Sequence, residues 1–119
     1  RPRSSMAPTI LLKNGRLALV IGSPGGSRII GYVAQAIIAH VDWDMNAQQA
    51  VSMPHLVNRF GTFDLEKGTT AEAMARRLMA KGFEVRVRGL NSGLHAIVVE
   101  DSGLAGGADP RREGVVIGN

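Results

Sequence analysis

The sequence contains no cysteine, which excludes disulfides, thiolate metal sites and cysteine nucleophiles. Aromatic residues are 4% of the chain, with one tryptophan and one tyrosine, so its core must be aliphatic. That scarcity leaves little to stack on nucleic-acid bases. No apolar run approaches the ~20 residues that a membrane-spanning helix needs. The chain opens on Arg1-Pro2-Arg3, with neither a methionine nor a signal-peptide pattern, and the expectation is a piece of a longer protein. The histidines, His40, His55 and His95, are not paired at metal-ligand spacing, so no metal or other cofactor is expected.

What is present is an ordinary globular balance. Of 119 residues, 45% are hydrophobic and 20% charged, which suits one domain with a core. The net charge is +4 and the pI about 10.3. The basic residues are scattered, however, with Arg76-Arg77 and Arg111-Arg112 as the adjacent pairs. A nucleic-acid footprint would be clustered, so nucleic acid is not an expected partner.

The pattern predicts layers of sheet and helix, an α/β (α+β) class. Residues 1–9 read as an extended opening segment, because Pro2 and Pro8 hold their predecessors out of the helical region. Ile10-Leu11-Leu12 and Leu17–Ile21 flank Asn14-Gly15, which supplies the two positive-φ residues of a type I′ hairpin. The second strand is apolar on both faces and is expected to be covered on both sides. A helix is predicted over Ser27–His40, with Ile30, Val33, Ala34, Ile37, Ile38 and Val41 on its buried stripe. A short helix over Asn46–Ser52 stops before Pro54. Residues 56–67 are expected to be extended. Thr69 and Glu72 form a capping box for a helix burying Ala71, Met74, Ala75, Leu78 and Met79, with Gly82 as its C′ residue. Phe83, Val85 and Val87 alternate with charged residues as a strand with one wet face. His95–Glu100 is another strand, and the glycine-rich residues 104–119 end the chain. No linker divides the domain.

The least ordinary stretch is Gly22-Ser23-Pro24-Gly25-Gly26-Ser27, between a strand and a helix. Adjacent glycines expose backbone N–H groups, and a helix start adds unpaired N–H groups and a positive dipole end. Such a place can hold a phosphate, a carboxylate or a developing oxyanion. The same residues equally suit a tight turn with no ligand. A P-loop is excluded because Ser27-Arg28 stands where Lys-Ser/Thr is needed. A nucleophile elbow is excluded because Ile29 stands where its second glycine belongs. Ser4-Ser5 presents hydroxyls on opposite sides of an extended segment, where one can bind a ligand, though serines are common in loops. Asp42, Asp44, Asp64, Glu66, Asp101 and Asp109 form no acid–base pair, and Asp109-Pro110 reads as a turn. No complete active site can be assembled from this chain.

Two long motifs carry a resemblance. Arg1-Pro2-Arg3-Ser4-Ser5-Met6-Ala7-Pro8-Thr9 resembles the Arg-Pro-x-Ser-Ser-Met-x-Pro-Thr of γ-glutamyltranspeptidases. Gly22-Ser23-Pro24-Gly25-Gly26-Ser27-Arg28-Ile29-Ile30 resembles their Gly-Ser-Pro-Gly-Gly-Ser-Arg-Ile-Ile. The spacing matches, as do residues 42–50, Glu66-Lys67-Gly68 and Gly106–Arg112. Residues 52–56 and 57–65 depart from the usual pattern.

The resemblance implies part of an N-terminal nucleophile hydrolase fold, a four-layer αββα sandwich. Residues 1–119 would be a single domain, the C-terminal portion of the small subunit, without the segment that bears the nucleophilic threonine. It implies γ-glutamyl transfer or hydrolysis of glutathione and related compounds through a γ-glutamyl-enzyme intermediate, after self-cleavage of a precursor. It also implies that Ser4 and Ser5 bind the substrate α-carboxylate and that the N–H groups of Gly25 and Gly26 form an oxyanion hole. Met6 and Arg28 would serve packing and loop support. The implied partners are the large subunit and the rest of the small subunit, and apolar surface is expected where they would cover the chain. A periplasmic or secreted location follows by analogy with bacterial relatives. The alternatives are a cephalosporin acylase-like amidohydrolase of the same fold and a non-catalytic anion-binding module.

Overall fold

Two apolar runs and the two positive-φ turn residues between them dictate the first hairpin, which the computed structural model describes together with the rest of residues 5–118. Strand β1 (Thr9–Lys13) turns through Asn14 (φ 52°) and Gly15 (φ 77°) into β2 (Arg16–Gly22). Ser4, with residues 1–3, lies outside the described residues. A 3-10 turn over Gly26–Arg28 leads into α1 (Ile29–Val41). Then come α2 (Ala47–Ser52), β3 (Leu56–Arg59), β4 (Thr62–Glu66), α3 (Ala75–Ala80), β5 (Glu84–Arg88), β6 (His95–Glu100) and β7 (Gly103–Ala108).

These elements form two compact units. The first takes in the chain up to Met53 and from Ser92 onward, and the second is Pro54–Asn91.

In the first unit, four antiparallel strands lie in the order β1-β2-β6-β7. The register puts Leu19 opposite Val98 and Ile21 opposite Ala96, all four buried. Helix α2 packs on β6 and β7, and α1 lies beside α2. The other face of the sheet differs from the sequence expectation. Ile10, Val20 and Ile97 share a row on it and are 66%, 38% and 49% exposed. The doubly apolar strand is therefore covered on one face by this chain and left open on the other.

Helix α1 buries Ile29, Tyr32, Val33, Ala36 and Ala39, while Ile30, Ile38 and Val41 are exposed. The predicted stripe is largely the outer one. A helix apolar all round gives periodicity no preferred side. Strand β7 was not anticipated, because Gly103-Leu104-Ala105-Gly106-Gly107-Ala108 has the composition of a loop. Close approach explains those glycines. A Cβ on Gly107 would lie 2.5 Å from the Ala47 carbonyl oxygen of α2. A Cβ on Gly106 would lie 2.5 Å from a methyl of Val116, which folds back over β7.

In the second unit, β3 and β4 form an antiparallel hairpin, and β5 pairs with β4 in parallel. The crossover runs through a 3-10 turn (Thr70–Met74) and α3. Leu65, Ala71 and Leu78 make its core, with Leu56, Phe63, Ala75 and Val85 packed around them. The capping residues act differently from the expected box. Thr69 Oγ1 accepts from Ala71 N, and Glu72 Oε1 accepts from Gly68 N at 2.6 Å. Gly82 (φ 87°) closes α3 as predicted, with Gly82 N donating to Met79 O and Phe83 N to Leu78 O, the paired bonds of a Schellman motif.

Candidate active site

Antiparallel pairing gathers four chain segments at one end of the first unit's sheet. Thr9, near the start of β1, pairs with Ile21 near the end of β2. Gly22, the last residue of β2, pairs with His95, the first of β6, and His95 pairs with Ala108, the last of β7. The serine segment before β1, the loop after β2, residues 92–94 before β6 and residues 109–112 after β7 therefore emerge together.

The loop after β2 has the conformation that its glycines permit. Gly25 has φ 139° and Gly26 φ 60°, values that L side chains rarely adopt. Arg28 N donates to Gly25 O, closing the 3-10 turn. The α-helix thus starts at Ile29, two residues later than the Ser27 expected, with the 3-10 turn between it and Gly25. Among the described residues, no acceptor takes the N–H of Gly25 or Gly26. Two adjacent amides with free N–H groups form a small donor surface suited to an anion. Gly25 is half-buried and Gly26 exposed.

Of the two predicted substrate-binding serines, Ser5 is half-buried in the segment leading to β1, and Ser4 is the one outside the described residues. Thr9 and Ile21 are the last pair at this end of the β1–β2 ladder, so the segment bearing Ser5 and the loop bearing Gly25 and Gly26 leave from neighbouring strands. The two motifs thus leave the sheet side by side.

The sequence missed the polar cluster beside this loop. Asp109 does open a turn, as expected, with Arg111 N donating to its Oδ1 at 2.9 Å. It is also 2% exposed. Its Oδ2 accepts from Ser92 Oγ and from Leu94 N at 3.0 Å. Its Oδ1 also accepts from Arg111 Nη1 at 3.0 Å. Burial pushes the Asp109 carboxyl up, but hydrogen bonds from Ser92, the Arg111 and Leu94 amides and the Arg111 side chain outweigh it and hold the group below its ordinary value. Arg111 reaches on to Val51 O and Met53 O, tying the end of α2 to the same cluster. The signal in the sequence was Asn91-Ser92-Gly93 together with Asp109-Pro110-Arg111-Arg112, but nothing in either stretch announces burial. Among the described residues, no group of three or more His, Asp or Glu could hold a metal ion.

The chain has relatives of known family and structure. The family model for γ-glutamyltranspeptidase matches residues 1–119. The glutathione hydrolase proenzyme of Escherichia coli (strain K12) is 39% identical over 114 residues, covering 93% of this chain and 20% of that protein. The acylase ACY 1 proenzyme of Pseudomonas sp. (strain SE83) is 37% identical over 116 residues, covering 96% of this chain and 21% of that protein. A mutant γ-glutamyltranspeptidase from Helicobacter pylori superposes with a TM-score of 0.84 at 36% identity, covering 94% of this chain and 63% of that one. The chain thus spans about a fifth of the length of the curated relatives it matches. Its helices and sheets are part of the N-terminal nucleophile hydrolase fold of these structures. On its motifs, its strand-end geometry and this match over its whole length, the chain belongs to the γ-glutamyltranspeptidase family.

Proposed function

We propose that this chain supplies the substrate-anchoring and oxyanion-stabilising part of an enzyme that transfers or hydrolyses γ-glutamyl groups of glutathione-like compounds. The observation that carries the proposal is the emergence of Ser5 and the Gly25–Gly26 loop side by side at one sheet end, in a chain that matches the family throughout. Ser4 and Ser5 hold the α-carboxylate of the γ-glutamyl group. A threonine hydroxyl from the longer protein attacks the γ-carbonyl carbon, and the carbonyl π electrons move to oxygen. The Gly25 and Gly26 N–H groups meet that oxyanion. Collapse expels the amine, which takes up the proton that the threonine hydroxyl has given up, and leaves a γ-glutamyl ester. Water or an acceptor amine then resolves the ester. Only glycine allows two consecutive backbone donors to crowd a tetrahedral centre at these φ values, and one such donor is worth about 2.7–4 kcal/mol in the transition state.

The partners in this proposal are the other portions of the same precursor. They would cover the open sheet face (Ile10, Val20, Ile97) and the outer stripe of α1, since soluble proteins seldom leave such contiguous apolar surface exposed.

The test is turnover of a chromogenic γ-glutamyl anilide by the full-length protein and its Ser5→Ala variant. A hydroxyl bonded to a carboxylate contributes about 1.5–3 kcal/mol, so kcat/KM should fall roughly ten- to hundredfold, chiefly through KM. An active enzyme indifferent to Ser5→Ala would refute the anchoring role. The acylase match supports a second reading, in which the acyl group is glutaryl. Glutaryl keeps the distal carboxylate and lacks only the α-ammonium. Faster cleavage of a glutaryl anilide than of the γ-glutamyl anilide would select that reading.

A further inference from the structure

The loop bearing Gly25 and Gly26 is gripped from the side by a segment that the chemistry does not require. Gly93 N donates to Ser23 Oγ at 3.1 Å, and Ser23 Oγ donates in turn to Pro24 O at 2.6 Å. Gly93 also lies flat against the proline. A Cβ there would stand 2.7 Å from Pro24 Cγ and 2.8 Å from Arg112 Cδ. Gly93 is itself held on both sides. Ser92 and Leu94 both donate to Asp109 Oδ2, and Arg112 Nε donates to Ser92 O at 3.2 Å. Ser92 and Asp109 are buried, with no more than 2% of either exposed.

We infer that Ser92 and Asp109 are positioning residues for the oxyanion-hole loop, acting through Gly93 on Ser23 and Pro24. The inference rests on the proposed role of Gly25 and Gly26. Its physical basis is the loop's own composition. Two glycines at positive φ have more conformational freedom than any other pair, so the loop cannot hold its donors by itself. The donors must nevertheless sit within about 0.5 Å of their working place. The buried carboxylate fixes residues 92–94, and these fix the non-glycine half of the loop immediately before the donors. None of these side chains needs to touch the substrate.

The experiment uses the full-length protein and the γ-glutamyl anilide, with Ser23→Ala, Ser23→Thr, Ser92→Ala, Asp109→Asn and the double variant Ser23→Ala/Ser92→Ala. Ser23 is only half-buried, so its substitution leaves folding intact even if the buried variants suffer. The oxyanion exists only in the transition state. Ser23→Ala should therefore lower kcat about tenfold or more with KM within twofold, as expected for donors moved by a fraction of an ångström. Ser23→Thr, which keeps the hydroxyl, should restore most of that loss. The double variant should lose no more than the larger single loss, because both act along one path. An active wild type whose Ser23→Ala variant keeps its kcat overturns the brace alone, and so does a double variant with fully additive losses. A wild type without γ-glutamyl turnover overturns the oxyanion reading and the brace together.

Discussion

The contact between β7 and α2 offers a quantitative test of the fold. Gly107→Ala adds one methyl carbon where the backbone of α2 already stands. That carbon would lie 2.5 Å from Ala47 O, 2.6 Å from Ala47 C and 2.9 Å from Gln48 N. Ordinary non-bonded contact begins near 3.5 Å, so either α2 or β7 must move by roughly 1 Å. Neither can do so freely. Asn46 and Gln49 cap the start of α2 reciprocally, and Gln48 bonds both ways to Ala108, donating to its oxygen at 2.8 Å and accepting from its nitrogen at 3.1 Å. Overpacking typically costs about 1–3 kcal/mol. Each net hydrogen bond loosened adds about 0.5–1.5 kcal/mol. A local destabilisation of about 3 kcal/mol speeds amide exchange about a hundredfold where opening is the governing step. Hydrogen exchange on the full-length protein should therefore show residues of α2 and β7 exchanging far faster in the variant. The matching control is Gly89→Ala, where nothing lies within 4 Å and φ is ordinary. It should be neutral or stabilising by about 0.4–1 kcal/mol. Unchanged protection of α2 and β7 in Gly107→Ala would refute the close approach as the reason for glycine there.

Three other outcomes are expected. The Asp109 carboxyl is held below its ordinary value, so its contribution is fully present above the unfolded pKa of about 3.9 and drains away as pH falls from there through the folded value. Urea midpoints at pH 6 and pH 3 should differ less in Asp109→Asn than in the wild type, and equal differences would count against that sign. Asn46→Ala removes the side chain that accepts from Gln49 N and should cost about 0.5–2 kcal/mol, read from protection of α2 amides. Purified residues 1–119 should show no γ-glutamyl anilide hydrolysis, and measurable turnover by them would refute the assignment of the nucleophile to another segment.

Local chemistry was the most legible part of this chain. Asn14-Gly15 fixed the first hairpin because few other dipeptides accept two positive φ values, and Gly82 marked the end of α3 for the same reason. Strand β6 was found with its bounds intact, from a run dense in β-branched residues. The failures share a cause, which is tertiary contact invisible to a local pattern. Strand β7 looked like a loop because its glycines answer to Ala47 and Val116, far away in sequence. The buried face of α1 was misassigned because both of its faces are apolar. At the site, the glycine loop stood out by composition. Asp109 did not, since a turn aspartate and a buried anchor look the same until Ser92 and Leu94 are folded against it.

Under the proposed oxyanion role, the arrangement also reconciles a flexible loop with fixed donors. Gly25 and Gly26 need backbone freedom to reach φ 139° and 60°, and that freedom works against fixed donors. The fold separates the two demands. Conformational freedom is confined to the glycine pair, while rigidity comes from the flanks: β2 paired on both sides before the loop, the 3-10 turn and α1 after it, and the Asp109 cluster beside it. The flanks in turn depend on their own burial. Strand β2 is covered on the Leu19 and Ile21 face and open at Val20. A strand covered on one face flexes more than one packed on both. Under the proposed assembly, the precursor layer that covers Ile10, Val20 and Ile97 would therefore do more than hide apolar surface, because it would stiffen the strand from which the donors hang. Substitutions on that open face, remote from any substrate, should then lower kcat rather than raise KM.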